Sequence, residues 1–416
     1  MAQSDIVIVG GGLGGASLAG KLARTGLAVT ILERETEFRD RVRGEWMAPW
    51  GVAELQSLGL YERFREAGGH HITRHVGYDE LIPADVAESM LLPVADLHPE
   101  IPGPMCMQHV VMQNEALQAA IESGVTVYRG VTRATVTAGA NPKVNFRHEQ
   151  KVSELRCRLV VGADGRSSSV RRELGIKLNE APLDHLIAGL LIEGAHGWPE
   201  DLQSIGKVGD IQYLVFPQGG GRARLYADYA YTGRARYAGE GGAAEMLAAF
   251  DMECVPNSEA ISKSTPIGPC RSYPSQDAWV DKPYVDGAVL MGDAAGYNDP
   301  ILGQGLSVTL RDARMLAEIL SNETDWSSSI FAPYAKERSE RLRRLRYIAS
   351  FITTLSARFE PADLARREAA FTVLAEDPEL MNIAVGAYIG PEKLEARYFA
   401  PEFYQRVFGT QQYLVT

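Results

Sequence analysis

Three clusters of glycine and acid, far apart in the chain, carry residue types and spacings that could hold a phosphorylated ligand. The first contains Gly10, Gly11, Gly12, Gly14 and Gly15, with Glu33 placed 18 residues beyond Gly15. In such a cluster Gly10 permits a tight turn, Gly12 lets backbone approach a pyrophosphate, and Gly15 lets a helix pack closely on a strand. Glu33 is positioned to accept hydrogen bonds from an adenosine ribose. The second cluster is Asp164-Gly165, followed by Arg166 and three serines. The third is Gly292-Asp293, which continues through Pro300, Gly303, Gln304 and Gly305. The first cluster predicts dinucleotide binding and leaves open whether the ligand is NAD or FAD.

Each cluster needs a strand to deliver it. Ile6 to Val9 is too short and too β-branched for a helix and suits a strand buried on both faces. Leu18, Ala19, Leu22 and Ala23 then fall at helical spacing between Ala16 and Thr25, with Gly26 as a stop, and Ala28 to Leu32 returns as a strand. Leu159 to Val161 and Ala288 to Met291 are apolar runs of the same kind, ending at Asp164 and Asp293. A helix is expected from Gly305 to about Leu320, its first N–H groups making an electropositive spot. Of the arginines at 39, 41 and 43, Arg43 beside Gly44 is the candidate to neutralise a pyrophosphate, and Trp46 and Trp50 are candidates to wall a flat ligand.

From Leu183 to Ala230 the pattern changes to an antiparallel sheet. Strands at Ile211 to Phe216 and Arg222 to Ala230 are joined through Pro217 to Gly221. Arg222, Arg224, Tyr226 and Asp228 share one face of the second strand, and Leu225, Ala227 and Tyr229 share the other. Tyr213, Arg224 and Tyr226 are the candidates for lining a substrate cavity. His70, His71, His75, His98 and His109 show no metal-site spacing on a credible helix, and no metal ligand is assigned. The remainder reads as helical, and the run Glu337 to Arg346 reads as the solvated face of a long amphipathic helix.

The chain has 416 residues, enough for two or three domains, and a formal net charge of −11, which argues against a nucleic-acid partner. Cys106, Cys157, Cys254 and Cys270 form no CxxC pair and read as free thiols of a reducing compartment. No apolar run approaches the roughly 20 residues of a membrane span, and a buried strand beginning at residue 5 or 6 leaves no room for a signal peptide. A cytoplasmic protein is expected.

The three motifs in this order resemble the class A flavoprotein monooxygenases, the family built on the p-hydroxybenzoate hydroxylase fold. The resemblance implies an α/β architecture: a Rossmann-like FAD-binding domain from residues 1–70, 105–180 and 280–325, an inserted antiparallel-sheet substrate domain from 71–104 and 181–279, and a C-terminal helical region from 326–416. It implies FAD as cofactor, with NADPH or NADH as a transient electron donor and O₂ and a small molecule as the other partners, in a monomer or homodimer. Glu33 would hold the ribose, Arg43 the pyrophosphate and Asp293 the ribityl chain, while Asp164 belongs to a motif that the family uses for both nucleotides. Pro300 would lie beside the isoalloxazine, with backbone N–H groups of Gly305, Leu306 and Ser307 at its N1 and O2. The implied reaction is hydroxylation of an electron-rich substrate through a flavin C4a-hydroperoxide, with no general base identifiable. Gly296 in place of the family's usual histidine, and Gly44-Glu45, also look like geranylgeranyl-reductase, flavin-dependent halogenase and epoxidase relatives, although the halogenase WxWxIP signature is nowhere in the sequence. Gln113 and Asn114 stand where the family usually has an arginine. The other alternative is a flavoprotein that binds FAD without turnover.

Overall fold

The computed structural model describes residues 4–42 and 44–412; Arg43 lies outside the described residues. The central sheet runs Tyr284–Val285, Ala288–Leu290, Leu159–Gly162, Ile6–Val9, Val29–Glu33, Thr126–Arg129, with every neighbour parallel except the first pair. Its inner strands Ile6–Val9, Leu159–Gly162 and Ala288–Leu290 are apolar or glycine and buried at every position because both faces are covered. Ile6 and Ile8 pack against the helices Leu13–Ala23, His109–Glu122 and Gly305–Asn322. Val7, Val9 and Val160 pack against Val136, Val144, Phe146 and Leu155 of a three-stranded meander. The first helix starts at Leu13, three residues before the periodicity suggests, because the glycines form its opening turn.

The second sheet is built around the antiparallel strands His185–Glu193, Arg222–Ala230, Ile211–Gly219 and Leu202–Val208, with Arg74–Val76 alongside the last. Its far face carries Leu225, Ala227 and Tyr229 into a core with Leu190, Val215 and Phe250. Its near face turns toward the central sheet and the C-terminal helices, burying Ile187, Leu214, Phe216 and Tyr226 with Leu345, Ile348 and Phe351. Register decides which side each residue takes. Tyr213 sits opposite Ala227 and therefore on the far face, where its hydroxyl meets Ser204 Oγ at 2.9 Å. The expected place of Tyr213 in a cavity wall is thus taken by its neighbours Leu214 and Phe216.

The helix Ala332–Ser356 corrects the expectation of a solvated charge run. Arg338 and Arg341 are each 2% exposed, and both bind the fully buried Asp312 at 2.8 Å, one on each carboxylate oxygen. Asp312 also accepts from Gly292 N at 2.9 Å, and Arg338 donates to the carbonyls of Gly292, Ala295 and Gly296. Burial opposes ionisation of Asp312, but the two guanidinium charges outweigh it and hold the carboxyl below its usual range. Only the remaining side of this helix, with Glu340, Arg343 and Arg344, is a water-facing ion-pair ladder. Among the described residues no helix is long and apolar enough to cross a membrane.

Replacing Asp312 with Ala leaves two buried guanidinium groups without their carboxylate and should cost about 3–5 kcal/mol in urea unfolding. Glu340→Ala on the exposed side should cost no more than about 1 kcal/mol by the same measurement.

Candidate functional site

At the end of the first strand Gly10 has φ +108°, and a Cβ there would lie 2.3 Å from the carbonyl oxygen of Ala163. The chain can turn this tightly beside the second motif only with glycine. A Cβ on Gly15 would lie 2.0 Å from Gly10 O, so the helix could not rest on the turn with any larger residue. Gly12 differs: a Cβ there would meet nothing nearer than Gln113 Nε2 at 3.5 Å. It is bare backbone facing open space, at the N-cap of a helix that has no side-chain cap. Glu33, 7% exposed, accepts from Gly11 N at 2.6 Å and Glu35 N at 2.7 Å. Its carboxylate is therefore fixed with acceptor capacity left over.

The second motif works through its neighbours. Asp164 accepts from Ser168 Oγ at 2.5 Å, Ser169 N at 2.7 Å, Ser169 Oγ at 3.0 Å and Val170 N at 3.2 Å. Its carboxylate anchors the helix Ser169–Glu173, and Ala163, Gly165 and Arg166 face the cleft in its place. Arg166 Nε lies 3.6 Å from Asp293 Oδ2, and its guanidinium lies over the Tyr297 ring at 4.3 Å. Asp293 lines the same cleft beside Gly292.

The third motif forms the far end. Pro300 opens a 3₁₀ turn, Pro300–Leu302, capped by Asp299, which accepts from Ile301 N at 3.0 Å. Gly303, with φ +65°, lets the chain lie on Trp46: a Cβ would be 2.9 Å from its ring. Gln304 is fully buried and spends its amide on Leu302 O at 2.7 Å and Trp50 Nε1 at 2.9 Å, which makes Trp50 a support rather than a wall. The helix then begins at Gly305 without a side-chain cap, so the N–H groups of Gly305, Leu306 and Ser307 are its unsatisfied donors. Gly305 and Leu306 line the cleft, and the Ser307 side chain is packed against Gly51.

One cleft of about 260 Å³ joins these parts, from Gly12, Gly14 and Gly15 past Asp293 to Pro300, Gly303 and Gly305. Its second wall is apolar, made by Ile187, Leu214, Phe216, Tyr226 and Trp46. Tyr226 is 8% exposed, and burial pushes its phenol well above the usual range. Arg224, expected to face a substrate, is 0% exposed and spoken for. It binds Glu45 through Nε at 2.9 Å and Nη2 at 2.8 Å, and Asp40 at 3.0 Å. Burial alone would lower its pKa; the bond and charge of Glu45 raise it above normal. Glu45 also accepts from Gln218 Nε2 at 2.5 Å and His109 N at 3.0 Å, and so ties the segment beside the cleft to the second sheet.

The arrangement fits a dinucleotide such as FAD. A bare glycine backbone at a helix N-terminus suits the phosphates, a fixed carboxylate suits the ribose, and a second uncapped helix suits an electron-poor ring that becomes anionic on reduction. Sequence reading missed Ile187, Leu214, Phe216, Glu45 and Arg166. The alternation of the strands carries a signal for the first three once register is known, and Gly44-Glu45 was visible without its partner.

Comparison with known proteins agrees. The family described as FAD binding domain matches residues 3–203, and the Squalene epoxidase family matches residues 156–359. Digeranylgeranylglycerophospholipid reductase 2 of Methanopyrus kandleri is 26% identical over 353 residues, covering 80% of this chain and 81% of that protein. Squalene monooxygenase of Mus musculus is 24% identical over 328 residues, covering 77% of this chain but only 55% of its own length. The crystal structure of p-nitrophenol 4-monooxygenase PnpA from Pseudomonas putida DLL-E4 has the same fold, with a TM-score of 0.77 at 20% identity, covering 94% of this chain and 99% of that one. The motifs, the cleft that they build and the match to an FAD binding domain over residues 3–203 agree on FAD as the ligand, and the chain shares its fold with the p-nitrophenol 4-monooxygenase.

Proposed function

We propose that the protein is a monooxygenase that uses NAD(P)H and O₂ to put one oxygen atom into a small, neutral, electron-rich substrate, an aromatic ring or an alkene. One observation carries this reading. A single cleft joins the phosphate cradle at Gly12 to the uncapped helix at Gly305, and the wall opposite is hydrocarbon. Bound FAD would supply the hydride acceptance and oxygen chemistry. Glu33 and the N–H groups following Gly12 hold the adenosine and phosphate end, and Asp293 the middle. The N–H groups of Gly305 to Ser307 stabilise negative charge that develops at the ring end. Ile187, Leu214 and Phe216 exclude water, and Tyr226 stays protonated and orients. Each turnover consumes one substrate, one NAD(P)H, one O₂ and one proton, and yields the oxygenated product, one water and NAD(P)⁺.

The charge inventory narrows the substrate. Arg224 is neutralised by Glu45 and Asp40, and Arg166 faces Asp293, so neither offers an uncompensated cation to a carboxylate-bearing phenol. A second reading, reduction of an isoprenoid double bond in place of its epoxidation, is favoured by the same apolar wall and by the reductase resemblance. Oxygen separates them: the reductase turns over anaerobically and the epoxidase does not.

Incubation with phenols, heteroaromatics and isoprenoid alkenes under ¹⁸O₂ should give product with one labelled oxygen and peroxide-only NAD(P)H oxidation when substrate is left out; label absent throughout the panel sinks the oxygenase reading. Glu33→Ala should weaken FAD binding about 10- to 100-fold in a fluorescence titration, the worth of hydrogen bonds to a charged group. Unchanged affinity would remove Glu33 from the nucleotide site.

A further inference from the structure

Directly behind Pro300 lies a buried cluster of acids around one imidazole. Asp228 and Gln212 stand opposite each other on neighbouring strands, one step along the sheet from Tyr226 and Leu214 of the cleft wall, with Ile187 on the other side of Asp228. His185 is 2% exposed, and Asp228, Asp277 and Asp299 are each 5% exposed or less. His185 Nε2 lies 3.2 Å from Asp299 Oδ2, close enough for an ion pair though poorly aligned for a hydrogen bond. Its Nδ1 lies 2.5 Å from Asp184 Oδ1, and the Asp184 side chain is 41% exposed. Asp277 Oδ1 accepts from Asn298 Nδ2 at 3.0 Å and Asp299 N at 2.9 Å, and Ser275 Oγ donates to Asp228 Oδ1 at 3.3 Å. Asn298 and Pro300, on either side of Asp299, both line the cleft. A continuous line of contacts therefore runs from the cleft through Asp299 and His185 to solvent at Asp184.

The cluster carries more acid than base. Asp299 and Asp228 act on the imidazole, and Asp277 lies beyond Asp299; the cations acting on this group are His185, Arg346, whose charge acts on Asp277, and Arg358, which is paired with Asp184 at 2.8 Å. Asp228 Oδ2, Asn298 Oδ1 and both amide atoms of Gln212 are buried without a hydrogen-bonding partner. Unpaired acceptors beside surplus carboxylates are places where a proton can be held.

We propose that this cluster takes up one proton from solvent, through Asp184 and His185, each time the FAD in the cleft is reduced. Hydride transfer brings two electrons and one proton to the ring and leaves one added negative charge in the cleft. A proton entering the cluster offsets that charge, and it leaves again when the ring is reoxidised. The titration range is suitable. Burial raises Asp228 to about 8, against the pull of His185 and with the push of Asp299, and burial followed by the Asp299 charge raises Asp277 to about 7. Burial lowers His185, but the charge of Asp299 and the bond to Asp184 dominate and hold it well above its ordinary value as an imidazolium. The inference rests on FAD as cofactor and is independent of the substrate.

The test is the midpoint potential of the FAD-loaded protein against pH, measured without substrate between pH 7 and 9. Each proton taken up per two electrons contributes about 30 mV per pH unit. Wild type should be steeper than the one-proton slope and approach about 60 mV per pH unit near pH 8. Asp228→Asn and His185→Asn should fall back toward about 30 mV per pH unit, while the exposed Asp184→Asn keeps the slope and slows the approach to equilibrium. A wild-type slope of about 30 mV per pH unit overturns the proposal without any variant, as does an unchanged steep slope in both buried variants. Loss of ¹⁸O incorporation with a steep slope retained would refute the oxygenase reading and leave this one standing.

Discussion

The spacing of the whole site depends on the place where two helices touch through a glycine. A Cβ on Gly14 would lie 2.4 Å from Thr309 Cγ2, so the helices Leu13–Ala23 and Gly305–Asn322 can approach this closely only with hydrogen at that position. Both helices begin on the same cleft, and neither has a side-chain cap. Their contact fixes the distance between two electropositive ends, and so the length of anionic ligand that can bridge them. Asp312 holds the second of these helices from behind, binding Arg338, Arg341 and Gly292 N at once, so the Gly292-Asp293 turn and the Gly305 helix move as one body.

The apolar half of the cleft is positioned by a second buried ion pair. Arg224 reaches from the antiparallel sheet to Glu45 and Asp40 and keeps the sheet against the nucleotide-binding half. A buried pair of this kind is costly to break and is weak evidence for net stability. Its structural consequence is orientation: with the Arg224 charge offset by Glu45 and Asp40, the cleft presents Ile187, Leu214, Phe216 and Tyr226 to whatever enters.

The parts legible in the amino-acid sequence were those written in adjacent residues. Strand, glycine turn and helix from Ile6 to Ala23 follow from apolar runs and glycine spacing, as do the strands ending at Asp164 and Asp293. What was illegible depended on residues distant in the chain. Asp164 is consumed by the serines that follow it, a capping pattern that its motif conceals. Tyr213 took the far face because strand register is set by pairing, here irregular between Pro217 and Gly219, and not by composition. Arg224 finds Glu45 across 179 residues, and the arginines of the long C-terminal helix find Asp312, so charge runs that looked solvated were partly buried. The cluster around His185 draws on five separate segments and has no linear signature at all.

The most direct test of the cleft as the FAD site is a crystal structure of the FAD-loaded protein. The pyrophosphate should lie within about 2.7–3.2 Å of backbone N–H groups at the start of the Leu13–Ala23 helix, with the adenosine ribose on Glu33 and the pyrimidine edge of the isoalloxazine facing the N–H groups of Gly305, Leu306 and Ser307. An isoalloxazine found away from the Gly305 helix, or a ribose that does not touch Glu33, would contradict that assignment.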